Sequence, residues 1–173
     1  FGTQNLCEEL EIPVYSMNDK IIGGHLDLAI DGADEVDPDN NVIKGGGAAL
    51  LREKIVAYNA EQFVIVADST KIVDSLGTKF RLPVEIIGEA RVPVTKALEA
   101  LGAECVLREG VKKCGPVITD NGNQILDILW KEPVNPCMME DKINSIVGVV
   151  EVGFFTKNKP IVFTMNSDCN VIQ

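Results

Sequence analysis

His25-Leu-Asp-Leu-Ala-Ile-Asp-Gly-Ala-Asp-Glu35 carries an apolar strand, His25 to Ile30, directly into a cluster of carboxylates. Its downstream counterpart, Phe63-Val-Ile-Val-Ala67, is a nearly continuous apolar run that reads as a strand buried on both faces. That run ends in the capping cluster Asp68-Ser-Thr70. Between the two, Gly45-Gly-Gly47 opens Ala48 to Ala60, a segment of good helix formers. Strand, helix and strand in this order predict a parallel α/β sheet. Ligands of open parallel sheets bind beyond the carboxyl ends of the strands, which is where the acids 31–35 fall.

Working outward, Asn5 to Leu10 reads as the end of a helix and Ile12 to Tyr15 as a short strand. A short helix over Lys71 to Leu76 is stopped by Gly77. The texture changes after Phe80. Leu82 to Ile87 is a strand, and Pro93 to Leu101 is a helix with Pro93 in its first turn and Gly102 as its stop. Glu104 to Arg108 and Val117 to Thr119 are strands, and Asp120-Asn-Gly-Asn123 is a tight turn before the returning strand Gln124 to Ile128. Met138 to Ile146 is a helix, and Val147 to Val152 closes the unit. This β-α-β-β-α-β order is the ferredoxin-like pattern. Ile161 to Thr164 returns to the first sheet. The expected fold is therefore α/β: a Rossmann-like parallel-sheet domain over 1–81 and 154–173, with an inserted ferredoxin-like α+β domain over 82–153.

Composition narrows the function. The 173 residues are 46% apolar, enough for a core, and no run reaches the ~18 continuous apolar residues of a membrane helix. Sixteen basic against 26 acidic residues give a net charge of −10, which disfavours a nucleic-acid partner. Any phosphate site has to be built locally, from a few lysines and backbone N–H groups. Cys7, Cys105, Cys114, Cys137 and Cys169 are odd in number and form no C-x-x-C pair, so they read as reduced thiols. His25 is the sole histidine, which argues against His-rich metal sites and any two-imidazole mechanism.

Four features can bear chemistry. In Asp31-Gly-Ala-Asp-Glu35, Gly32 permits a tight backbone path among several carboxylates; the alternatives are a solvated acidic turn or a Mg²⁺ site. Lys44-Gly-Gly-Gly47 can present N–H groups to an anion, although it is neither a Walker A nor a G-x-G-x-x-G sequence, and a flexible loop is the bland alternative. Glu53 interrupts an apolar helical stripe formed by Ala49, Leu50, Val56 and Ala57, with no Lys or Arg three or four residues away. Desolvation of such a carboxylate raises its pKa toward general-base values, unless it sits exposed at the stripe's margin. Lys71, next to a capped helix start, suits a phosphate, although a plain surface lysine is the more common case.

Taken together these residues resemble the type A ribose-5-phosphate isomerase family. The resemblance rests on Asp31-Gly-Ala-Asp-Glu35, on Lys44-Gly-Gly-Gly-Ala-Ala49 with Arg52-Glu-Lys54, on Ile65-Val-Ala-Asp68 with Lys71, on Leu82-Pro-Val-Glu-Ile86, on Val117-Ile-Thr-Asp-Asn-Gly-Asn123 and on Val147-Gly-Val-Val-Glu-Val-Gly153. It implies interconversion of D-ribose 5-phosphate and D-ribulose 5-phosphate without metal or organic cofactor, in a cytoplasmic homodimer or homotetramer. It implies that Glu53 moves the proton between C1 and C2. Asp31, Asp34 and Lys44 then bind the sugar, assist ring opening and stabilise the oxyanion. Gly32, Ala33, Gly45, Gly46 and Gly47 complete the substrate site, and Lys71 lies on its phosphate side. The family also carries a Thr/Ser/Gly-rich phosphate loop after a first strand, and nothing like it occurs before Asn5. The expectation is a chain lacking the N-terminal part of its catalytic domain, with weakened phosphate binding and an apolar sheet edge. A sugar-phosphate sensor domain and a coenzyme A transferase are the rival readings of this architecture.

Overall fold

The computed structural model describes residues 2–111, 114–165 and the backbone of 171–172. The first sheet is built on β1 (Leu26–Asp31) and β4 (Ala60–Asp68), which pair in parallel with Ala29 opposite Phe63 and Asp31 opposite Ile65. β10 (Ile161–Met165) lies parallel to β4 on its other side, and β11 (Val171–Ile172) runs antiparallel beyond it. The helix α2 (Leu50–Tyr58) connects the first two strands. It is shorter than its propensities suggest. Gly45 at φ 103° and Ala48 at φ 59° turn the chain ahead of it, and Ala60 is drawn into β4.

A second sheet consists of two-residue strands: β2 (Glu35–Val36), β3 (Val42–Ile43) and β9 (Phe154–Phe155), all antiparallel. The third is β6 (Glu104–Leu107), β7 (Gln124–Leu129), β5 (Leu82–Ile86) and β8 (Val149–Val152), in that spatial order and antiparallel throughout. With helices α3 (Arg91–Ala100) and α4 (Pro136–Asn144) between strands, its order is the ferredoxin-like one expected from the pattern. Asn135 caps α4 by accepting from the Met138 N–H at 3.0 Å, and Pro136 occupies its first position.

Several expectations are corrected. Residues 12–15 form no strand; they follow α1 (Gly2–Glu9), which buries none of its residues. Residues 71–76 form no helix. Asp68 caps only a single 3₁₀ turn, Ser69–Lys71, after which Ile72 bridges to Val36. Residues 117–119 make a single isolated bridge, Ile118 to Gln124, in place of a strand; Thr119, Asn121 and Asn123 all turn their side chains onto the buried carboxylate of Glu85, at 2.9, 3.0 and 2.8 Å. The strand over 63–67 buries Phe63 and Ile65 but leaves Val66 58% exposed, beside Ile30 at 64% and Leu28 at 47%. Among the described residues, α2 and the small sheet cover one face of the parallel sheet only.

Candidate active site

Asp31 ends β1, and the chain turns at Gly32, whose N–H donates to the Asp31 carboxylate at 2.7 Å. The Asp34 N–H donates to the Ile43 carbonyl at 2.8 Å, and the Lys44 N–H to the Gly153 carbonyl at 3.0 Å. The small second sheet thereby sets Lys44 beside Asp31. The Lys44 ammonium, only 4% exposed, lies 2.9 Å from Asp31 Oδ2, donates to the Gly32 carbonyl at 2.6 Å and stands 3.6 Å from Glu53 Oε2. Its charge is tolerated in that buried position because two carboxylates flank it.

Glu53 reaches the group from the first turn of α2. Its Oε2 is buried and accepts no hydrogen bond among the described residues. Burial pushes the Glu53 carboxyl above its usual range; Lys44 pulls it back, and the charges of Asp31 and Asp34 raise it further. Asp34 is held from the glycine loop, accepting the Gly46 N–H at 2.8 Å. A Cβ on Gly46 would come within 2.6 Å of the Asp34 carboxylate, and one on Gly45 within 2.8 Å of Leu50. Gly47 has open space.

These residues enclose a cleft of about 240 Å³ lined by 31–34, 44–47 and Glu53. Every residue assigned to the substrate site from the sequence is there except Lys71, which sits on the turn after β4 and does not line it. Glu35 departs from its neighbours. It is buried and accepts the N–H groups of Gly77, Lys79 and Phe80 at 2.6, 2.8 and 2.7 Å, so it anchors a loop and leaves the cleft to Asp31 and Asp34. Among the described residues no cluster of three or more His, Cys, Asp or Glu is arranged to hold a metal ion. Cys7, Cys105, Cys114 and Cys137 are free thiols, and burial pushes Cys105 up to about 11; Cys169 lies outside the described residues.

Two supporting groups escape sequence reasoning. Lys54, next to the base, turns the opposite way and is buried against Glu140 (3.1 Å), Glu151 (2.8 Å) and the Val152 carbonyl (2.7 Å). Tyr58 donates to Glu140 at 2.8 Å, and burial followed by the Glu140 charge raises its pKa. Arg108, from the antiparallel sheet, reaches the carbonyls of Gly45 and Gly46. The available signal was weak: a basic residue beside the proposed base, and an arginine at a strand end.

Fold and cleft together define an α/β protein equipped for carboxylate acid–base chemistry beside a buried ammonium. The chain belongs to the ribose 5-phosphate isomerase A (phosphoriboisomerase A) family, whose model matches residues 1–168. It is 60% identical to the ribose-5-phosphate isomerase A of Treponema denticola, over 99% of this chain and 72% of that protein. It is 50% identical to the Treponema pallidum protein of the same name, over 99% and 68%. A D-ribose-5-phosphate isomerase solved in complex with phospho-erythronic acid superposes with a TM-score of 0.92 at 40% identity, covering 99% of this chain and 74% of that one. Ribose 5-phosphate isomerase A from Methanocaldococcus jannaschii gives 0.90 at 40% identity, covering 100% and 75%. These relations favour the isomerase over the sensor and transferase readings.

Proposed function

We propose that the cleft interconverts D-ribose 5-phosphate and D-ribulose 5-phosphate. The observation that carries this reading is Glu53: a desolvated carboxylate with a free oxygen, raised in pKa, within ion-pair distance of a buried ammonium. Glu53 takes the proton from C2 of the open-chain aldose and returns it to C1, while the C2 hydroxyl proton passes to O1. The aldehyde becomes the C1 hydroxyl and C2 the ketone, and one carboxylate serves both half-reactions at carbon. Lys44 stabilises the oxyanion of the intervening enediolate, and the Gly-loop N–H groups add preorganised dipoles. Asp31 holds Lys44 in place, and Asp31 with Asp34 binds sugar hydroxyls and assists ring opening. Gly32, Ala33, Gly45, Gly46 and Gly47 shape the substrate site. Lys71, at the same carboxyl end of the parallel sheet as Asp31, is read as lying on the phosphate side.

The reaction so described needs neither metal nor organic cofactor, and activity is expected to survive EDTA. The same family reading makes the chain a cytoplasmic homodimer or homotetramer, which sizing by light scattering tests. It also divides the chain into a Rossmann-like domain, 1–81 and 154–173, and an inserted ferredoxin-like domain, 82–153. No helix among the described residues is long and apolar enough to cross a membrane.

The decisive experiment is Glu53→Gln assayed with ribose 5-phosphate. The amide is nearly isosteric and cannot accept the proton. Turnover is expected to fall ~10²–10⁴-fold with substrate binding retained. Near-wild-type turnover would remove Glu53 as the base.

A further inference from the structure

The glycine loop is gripped from the other sheet. Arg108 follows β6 and is fixed there by its own backbone, its N–H donating to the Ile125 carbonyl at 2.9 Å and its carbonyl accepting from Val117 at 2.8 Å. Nε and Nη2 of its guanidinium both meet the Asp127 carboxylate, Nε at 2.8 Å. Nη1 remains, and it donates to two successive carbonyls, Gly45 at 3.1 Å and Gly46 at 3.0 Å. Both side chains of the pair are largely buried, 16% and 18% exposed. A bidentate carboxylate pair fixes the plane of the guanidinium, so the direction of the third nitrogen is set as well.

The peptide bond is planar and trans, so each carbonyl points opposite to the N–H that follows it. Drawing the Gly45 carbonyl toward Arg108 turns the Gly46 N–H the other way, and it is found on Asp34 at 2.8 Å. Drawing the Gly46 carbonyl toward Arg108 turns the Gly47 N–H away from Arg108 by the same geometry, and no partner takes that N–H among the described residues. Three glycines in a row have no intrinsic preference for this arrangement, and the loop gains no side-chain packing of its own. Within the loop the Ala48 N–H holds the Gly45 carbonyl at 2.9 Å. Among the described residues the Gly46 carbonyl is held by Arg108 alone, so the second peptide plane depends on this external fixture.

We infer that Arg108, oriented by Asp127, is a positioning residue for the isomerisation: it locks the Gly45–Gly47 peptides so that Asp34 is held and the Gly47 N–H is left for substrate oxygen. This rests on the isomerase reading of the cleft, but its geometry can be tested apart from it. Among the described residues Arg108 makes no hydrogen bond or ion pair with Glu53 or Lys44, so its loss is expected to act through the loop and Asp34 and to change how substrate is held.

The test uses Arg108→Met and Arg108→Lys in the purified protein, with ribose 5-phosphate as substrate. Misplacing groups by about 1 Å can cost ~10²-fold, so Arg108→Met is expected to lose ~10–100-fold in kcat/KM, shared between kcat and KM. Arg108→Lys is expected to recover part of the loss, since an ammonium can donate to the carbonyls but cannot clamp Asp127 with two parallel bonds. In ¹H–¹⁵N spectra the Gly46 and Gly47 amides are expected to shift in Arg108→Met. A folded Arg108→Met with kcat/KM within about twofold of wild type, or with unshifted Gly46 and Gly47 amides, overturns the inference. If Arg108→Met does not fold, Asp127→Asn decides on the same two readouts, since a neutral amide cannot hold the guanidinium plane. If the wild-type protein does not isomerise ribose 5-phosphate, the isomerase reading fails while the amide shifts still judge the clamp.

Discussion

At the scale of single residues, the three glycines of the loop do three different jobs. Gly45 needs its φ of 103° and has Leu50 where a Cβ would go; Gly46 has Asp34 there; Gly47 has nothing. Gly46 has an ordinary backbone conformation, so alanine is accepted by the main chain and the conflict falls on the Asp34 carboxylate. Gly46→Ala is therefore expected to leave stability within about 1 kcal/mol. It should lower kcat/KM by roughly tenfold or more as Asp34 is displaced. A variant with full activity and an unmoved Asp34 in its crystal structure would contradict this. Glu53 gives a prediction in pH. Its folded-state pKa is raised, so the base ionises only above the ordinary carboxylate range, and the acid limb of kcat/KM is expected to lie above that range too. The sign for stability is the reverse of the usual carboxylate case. A raised pKa means stability is greatest with Glu53 protonated and declines as pH rises through the folded pKa. Glu53→Gln, which cannot ionise, is expected to gain on wild type in denaturant melts as pH rises from 4 to 7. A gap that shrinks over that range would show the pKa to be depressed. The acids were legible as carboxylates at a strand end, and Lys44 through the glycine run and the family resemblance. Glu53 was read from an apolar stripe that the fold only partly keeps, since Leu50 and Ala57 are buried but Val56 is exposed and Lys54 is buried in its stead. Arg108 breaks no local pattern, and its role exists only once the two sheets are assembled.

At the scale of elements, α2 has two charged residues side by side that serve opposite ends. Glu53 faces the cleft, and Lys54 faces α4 and β8. The Lys54 ammonium also lies 4.8 Å from the centre of the Phe155 ring, so its surroundings are apolar as well as ionic. Glu140 is fully used: besides Lys54 and Tyr58 it accepts the Thr156 N–H at 3.0 Å and its hydroxyl at 2.5 Å. Removing one partner of a buried pair leaves the other charge uncompensated. Lys54→Met is expected to cost about 3–5 kcal/mol. Adding Glu140→Gln to Lys54→Met should recover part of that loss, because the stranded carboxylate is gone. A double-mutant cycle from urea titrations checks this, and strict additivity of the two losses would mean that Lys54 and Glu140 are not coupled. Here sequence reading succeeded with elements that have enough residues to show a period or a cap, such as β1, β4, α3 and α4. It failed at β2, β3 and β9, whose two residues each have no period to read. It failed again at 71–76, where Glu35 reaches in from a distant strand and ties the following loop to itself instead of letting a helix form.

At the scale of the whole molecule, those two-residue strands matter most. Side chains alternate across a strand, and the small sheet uses this to feed two cores at once. Ile43 and Phe154, paired across β3 and β9, belong to the core of the antiparallel sheet; their neighbours Val42 and Phe155, also paired, belong to the core of the parallel sheet. Gly153, just ahead, has its Cα so near the Lys44 carbonyl and Pro83 that a Cβ would come within 2.5 and 2.9 Å, so the two parts meet without a gap. Arg108 and Lys54 then cross the same junction with charge. Such a junction leaves neither core able to open without stripping a face from the other, and one cooperative unfolding transition is the expected consequence. Trp130, the single tryptophan, permits a direct test. It stacks at 6.3 Å on Phe154 and donates to the Leu101 carbonyl at 3.0 Å, so its fluorescence reports on the antiparallel core alone. Phe155→Ala empties space in the parallel core, where Phe155 packs against Tyr58 and Phe63, and should cost about 3–5 kcal/mol. If the cores are joined as described, the urea midpoint seen by Trp130 should fall by as much as the midpoint seen by far-UV circular dichroism. A Trp130 midpoint that stays at the wild-type value while circular dichroism shifts would mean that the small sheet only touches both cores and does not couple them.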